Sequence, residues 1–316
     1  MELGEIVDRS ATFWRAHWKR LYALFFAFNL VQYALIKGLQ AVSGRWGSYG
    51  DLLAALRAMS QGQTVAQQQA PGATAALFGV MGGILFGTLF VTTAAAHYVL
   101  PTFLGEPARV ADGVRHATRK LGTLLGLFFL ALGWALLVMV LFMLPGILMG
   151  VAAGLAGSVG FLIAGMVVMT FGLIGWGLWF FLRFALWGPI VASEDVGAVA
   201  AFRRCDVLTS GRVGPGLMGL VKMRLMILIT VVAMMLLLLS LISGAPVLVL
   251  RAVYGNLLDP SAGDVPAVLL VPAELLNLAV GAVMYPLYVA FQVIFYVDMR
   301  TRREGFDLEL KLRKAA

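Results

Sequence analysis

The sequence predicts an all-α integral membrane protein. Its six transmembrane helices are expected in three parallel hairpin repeats, each preceded by a cytoplasmic interfacial amphipathic helix, with both termini inside. Three observations carry this prediction. Of the 316 residues, 61% are apolar and 13% charged, whereas a soluble domain has about a quarter of its residues charged. Segments 121–182, 225–250 and 275–297 contain no Asp, Glu, Lys or Arg. The basic residues crowd into alternate loops rather than spreading along the chain.

A bilayer core of ~30 Å is crossed by about 20 apolar residues of helix. The chain opens with "LGEIVDRSATFWRAHWKRL", which places Leu3, Ile6, Val7, Ser10, Phe13, Trp14, Trp18 and Leu21 on one helical face. Glu5, Asp8, Arg9, Arg15 and Lys19 occupy the other. This amphipathic lead contains acids, unlike the short basic region of a cleaved signal peptide, so the first span, 21–42, is expected to be retained. Next come "SYGDLLAALRAMS", readable as a short amphipathic helix, and the Gln-rich loop "QGQTVAQQQAPGA". The second span, 73–103, carries Ala75, Gly79, Gly83 and Gly87 at four-residue intervals.

The second interfacial helix lies in 104–121. Val110, Val114, Ala117 and Leu121 oppose Arg115, Arg119 and Lys120 there, and Pro107 suits a first turn. Segment 121–182 is long enough for two spans, with "PGILMGVAAGLAGS" as their turn and Ala152, Ala156, Gly160 and Ala164 as a second small-residue ridge. Such ridges let backbones approach where lipid gives helices no hydrophobic drive to associate, within one chain or between chains. "SEDVGAVAAFRRCDVLTSGR" repeats the interfacial pattern, with Ser193 as N-cap, acids in the first turn and Arg203 and Arg204 farther along. The fifth span covers 225–250 and the sixth 275–297, which Pro286 is expected to kink. Between them "YGNLLDPSAGDVP" reads as a turn-rich outer loop. The chain is thus one membrane domain, 1–316, with repeat units 1–103, 104–191 and 192–297 and a tail, 298–316, related about an axis along the membrane normal.

Cytoplasmic loops are enriched in Lys and Arg. With the N-terminus inside, the inner segments hold 20 of the 24 basic residues, leaving Lys37, Arg45, Arg57 and Arg251 outside. The net charge of +8 therefore points to anionic lipid, or to a protein partner, and not to nucleic acid. Arg15, Lys19, Arg20, Arg115, Arg119, Lys120, Arg203, Arg204, Arg300, Arg302 and Arg303 are the candidate contacts.

Chemistry-bearing residues are few. His17, His97 and His116 have no metal-ligand spacing, Cys205 is alone, and no nucleophile elbow occurs, so neither a metal, a cofactor nor an enzyme is expected. "GPGLMG" at 214–219 matches a dinucleotide fingerprint by letter, but it lacks the preceding strand and reads as an elbow. Ionisable residues within spans are functional candidates. Glu274, two residues after Pro272, is either a first-turn acid that satisfies free N–H groups or, with Asn277, an ion or proton site. Arg183, Lys222, Arg224 and His97 read as boundary residues, Arg183 with a weaker claim to the polar site.

"PIVASEDVGAVAAFRRCDVLTSGR", together with "YVDMRTRREGFDLELKL" after the last span, resembles the glycerophosphoryl diester phosphodiesterase membrane domain family. The resemblance is carried by Asp298, Met299 and Arg300, by Glu304, Gly305, Phe306, Asp307 and Leu308, and by the opening stretch. It implies a bacterial plasma-membrane bundle. The family's fused catalytic domain, with its His-Arg pair and acidic metal ligands, has no counterpart here. The period-two alternation of "FDLELKL" is expected to form a half-buried strand that packs on the elbows or on another chain. The function expected first is a non-catalytic scaffold or accessory subunit of a membrane system. The alternative is a transporter or lipid-handling protein with a site between repeats near Glu274.

Overall fold

The computed structural model describes residues 2–42, 73–216, 219–254 and 265–306. Among them it is all-helical: α1 (Leu3–Val42), α2 (Ala73–Phe103), α3 (Val110–Arg119), α4 (Leu121–Ala156), α5 (Val159–Phe184), α6 (Trp187–Ser193), α7 (Ala198–Thr209), α8 (Val221–Tyr254) and α9 (Ala267–Glu304). Six helical segments are long and apolar enough to cross a membrane, in α1, α2, α4, α5–α6, α8 and α9. The expected short helix after the first span, the loop before the sixth and the strand-like tail lie outside the described residues.

The first interfacial segment is not set apart. Neither Pro nor Gly interrupts the sequence between Gly4 and Gly38, and α1 runs unbroken through both the amphipathic and the apolar stretch. α3 is distinct from α4 because Lys120 leaves helical geometry between them. Pro107 is not in its first turn: Arg109 is the N-cap, so the proline precedes the helix. Ser193 does not cap α7. It is the last residue of α6, where its hydroxyl donates to the Pro189 carbonyl at 2.8 Å, and Gly197 takes the cap position. Pro145 lies inside α4, so the turn to α5 narrows to Gly157 and Ser158. Gly157 adopts φ 59°, a left-handed cap that lacks a Cβ penalty only for glycine.

By backbone proximity the chain divides into two compact units. Unit 1 comprises Met1–Ser10, Thr92–Ile229 and Val289–Ala316; unit 2 comprises Ala11–Val91 and Thr230–Tyr288. Within unit 1, α4 and α5 form an antiparallel hairpin whose closeness depends on glycine at places the spacing of small residues did not indicate. A Cβ on Gly172 would sit 2.5 Å from the Phe142 carbonyl oxygen, and one on Gly165 3.1 Å from that of Gly146. Ala152, Ala156 and Gly160 are exposed. The Trp176 indole donates to the Ala135 carbonyl at 2.9 Å, and α7 rests on the hairpin through Phe202 against Phe184, 4.7 Å between centroids. Both hairpin helices expose large apolar side chains such as Phe129, Leu155 and Phe171, as lipid-facing helices do.

In unit 2, the Trp14 indole donates to the Val283 carbonyl at 2.8 Å and Phe25 stacks on Tyr285 at 5.7 Å, joining the α1 and α9 segments. On the α2 ridge, Gly79 and Gly83 face nothing within 4 Å, whereas a Cβ on Gly87 would meet the Phe28 ring at 2.5 Å.

Candidate functional site

Polar side chains converge in unit 2. Glu274 is not in the first turn of its helix. α9 begins at Ala267 and continues through Pro272, so the carboxylate lies in the helix interior with its backbone N–H groups already inside the helix. Its partners come from α1: Lys37 Nζ lies 2.8 Å from Oε2 and 3.0 Å from Oε1, and the Tyr33 hydroxyl donates to Oε2 at 2.9 Å. The lysine and glutamate side chains are 11% and 8% exposed. Two ionised groups at that depth hold together only as a pair, because either alone would sit desolvated.

One helical turn on, Asn277 Oδ1 accepts a hydrogen bond of 2.5 Å from Ser243 Oγ on α8. The two clusters share a cavity of about 350 Å³, lined from α1 by Asn29, Gln32, Tyr33 and Ile36, from α8 by Leu236, Leu239, Ser240 and Ser243, and from α9 by Glu274, Asn277, Leu278, Gly281 and Tyr285. Glu274 and Asn277 thus line one common wall. Asn29, Ser243 and Glu274 are all buried.

The sequence reading missed Asn29, Gln32, Tyr33, Lys37 and Ser243. A signal existed: positions 29, 32, 33 and 37 share one helical face, as do 240 and 243, and 274, 277, 281 and 285. Polar groups at helical spacing inside an apolar span mark a common inward stripe. Charge counting places Lys37 on the outer side, and nothing in its own stretch of sequence marks it as a partner of Glu274.

Arg183 belongs to unit 1 and pairs there with Asp206 at 2.9 Å. Its guanidinium carbon stands 4.9 Å from the Trp179 ring centre and 5.7 Å from that of Trp134, a cation–π box. Several cations expected at lipid phosphates are engaged within the chain instead. Arg204 bridges Glu194 (3.0 Å) and Glu304 (2.6 Å), Arg300 binds Glu304 (3.0 Å), Arg302 binds Asp298 (3.0 Å), and Arg303 donates to the carbonyls of Val207 and Ser210. Burial pulls the Arg204 pKa down, but the hydrogen bonds and charges of Glu304 and Glu194 outweigh it and hold it above its ordinary value. Asp298, 2% exposed, also faces Arg224 at 3.6 Å. Lys120 pairs with Asp195 and holds that carboxyl below the usual range. Arg15, Lys19, Arg20, Arg115, Arg119 and Arg203 remain exposed.

The histidines are placed structurally. His97 and His116 stack at 4.1 Å, and their Nδ1 and Nε2 atoms meet the carbonyls of Ala192 (2.9 Å) and Val191 (3.3 Å). Burial lowers the His116 pKa, opposed by the Val191 hydrogen bond and reinforced by His97 and Lys120. Burial pushes the Cys205 thiol up to about 12. Among the described residues no group of His, Cys, Asp and Glu is arranged to hold a metal ion. Flanking the fingerprint-like 214–219, the Val213 N–H donates to the Gly219 carbonyl at 2.8 Å and Arg212 bridges to Leu220.

In comparisons with known proteins, no family model, no curated protein and no solved structure matches this chain.

Proposed function

We propose that the chain is a multi-pass plasma-membrane protein that binds a small polar molecule or lipid headgroup within its bundle, as a transporter or lipid-handling protein does. The observation that carries this is the cavity where Glu274, Asn277 and Asn29 meet. Polar side chains in an apolar span are expensive to desolvate, so a wall that gathers amides, hydroxyls and the Glu274 carboxylate from three helices is best explained by a ligand that uses them. The scaffold reading drew on spans poor in polar groups, and this wall removes much of its support. The bacterial inner-membrane setting, cytoplasmic termini, anionic-lipid contacts through the exposed arginines, and the phosphodiesterase-membrane-domain resemblance complete the proposal. Their support is the basic-residue distribution and the quoted motifs.

Native mass spectrometry of the chain in lipid nanodiscs tests it. A defined small molecule or lipid retained by the wild type and lost from Asn277→Leu is the expected result. A stoichiometric second protein, with no retained small molecule in either form, would return the function to scaffolding.

A further inference from the structure

Resting on that reading of the cavity, we infer that its occupant is an uncharged, hydroxyl-rich group, either a free polyol or the sugar headgroup of a neutral glycolipid. Three features of the wall define this class.

The charge there is already balanced. Lys37 lies 2.8 Å from Glu274 and Tyr33 donates to the same carboxylate at 2.9 Å, so carboxylate and ammonium satisfy one another before any ligand arrives. A cation or an anion entering this space would bring a charge that no remaining group on the wall could neutralise. A zwitterion would have to break the existing pair.

The remaining polar wall is neutral and two-sided. Asn29 and Gln32 carry primary amides, each with an acceptor and two donors, and have no hydrogen-bond partner among the described residues. Asn277 uses its oxygen for Ser243 and keeps its N–H donors. Hydroxyl groups donate and accept at once and match this mixture. Carboxylates only accept and ammonium groups only donate.

The rest of the wall is apolar. Leu236, Leu239, Leu278 and Tyr285, whose ring is fixed by stacking on Phe25, suit the carbon skeleton that alternates with hydroxyls in a polyol. At about 350 Å³ the space lies near the lower end of ligand pockets, about 300–1,000 Å³. It therefore fits one sugar-sized group.

The test is thermal unfolding of the full chain in phosphatidylcholine nanodiscs. Sorbitol, sodium acetate, choline chloride and glycine are titrated at millimolar concentration, and a parallel set of discs contains monogalactosyl diglyceride. The expected result is a saturable rise in Tm with sorbitol, with the galactolipid, or with both, and an affinity weakened on the order of tenfold in Asn277→Leu. Gln32→Met, which leaves the Ser243–Asn277 hydrogen bond in place, replaces that variant if it does not fold. Response to sorbitol alone assigns a soluble solute, and response to the galactolipid alone assigns a headgroup. A rise with sorbitol that is unchanged in the variants is a general osmolyte effect and overturns the inference. Saturable, variant-sensitive binding of choline, acetate or glycine in place of sorbitol and galactolipid overturns the ligand class but leaves a polar binding site standing. No response to any of these probes in the wild type overturns both.

Discussion

Removing one partner of the Lys37–Glu274 pair is the most direct probe of the cavity's electrostatics. The side chains are 11% and 8% exposed and 2.8 Å apart, so they fall in the regime where breaking a buried pair by a single substitution costs about 3–5 kcal/mol. In Lys37→Met the carboxylate keeps only the Tyr33 hydroxyl, and in Glu274→Met the ammonium keeps only the face of the Tyr33 ring, 5.5 Å from its centre. Replacing both partners behaves differently, because Lys37→Met/Glu274→Met removes the two desolvation penalties together with the attraction. That double variant should lie within about 1 kcal/mol of wild type or be more stable by about 1–4 kcal/mol. Equilibrium unfolding of all four proteins in mixed micelles yields the cycle directly. Two single variants within about 1 kcal/mol of wild type would refute the reasoning, because they would mean that water reaches both groups and the pair is a surface salt bridge.

Other expectations concern unit 1. Gly172→Ala places a Cβ 2.5 Å from the Phe142 carbonyl oxygen and should destabilise the α4–α5 hairpin by about 1–3 kcal/mol. Gly154→Ala, with nothing within 4 Å, should gain about 0.5–1 kcal/mol from helix propensity; both are read by unfolding in micelles. His116 is held below its ordinary pKa of 6.5, so the folded state binds fewer protons than the unfolded one just below that pH. Its contribution is therefore complete above pH 6.5 and is lost as pH falls through the folded value. A Tm profile that declines from pH 7 to pH 5, and flattens in His116→Asn, is expected. The Cys205 thiol, fully buried with its pKa near 12, should resist maleimide at pH 8 in the native protein and react on unfolding. Fast native labelling would show that α7 opens from its seat.

Much of the architecture was legible because its cause is local. A run of 62 residues without a charge, 121–182, has few alternatives to membrane-length helix, and length alone divides it in two. Helix boundaries were less legible, since they depend on competing backbone partners. Ser193 was expected to cap the following helix, yet its hydroxyl bonds back to Pro189 within α6. Small-residue spacing announced close packing but not its place: Gly146, Gly165 and Gly172 meet backbone, while Gly79 and Gly83 meet open space.

The candidate site divides in the same way. Composition and spacing alone single out Glu274 and Asn277 as polar residues in an apolar span, because their desolvation cost is a property of each residue by itself. Pairing is not. Lys37 and Glu274 are 237 positions apart, and nothing in either neighbourhood specifies the other. Only the packing of α1 against α9 brings ammonium to carboxylate, and only the α8 segment beside them adds Ser243 to Asn277. Residue type and place in an apolar run suffice to mark which side chains are costly to bury. Packing selects which of them meet, because charge and hydrogen-bond satisfaction in a low-dielectric interior are properties of pairs.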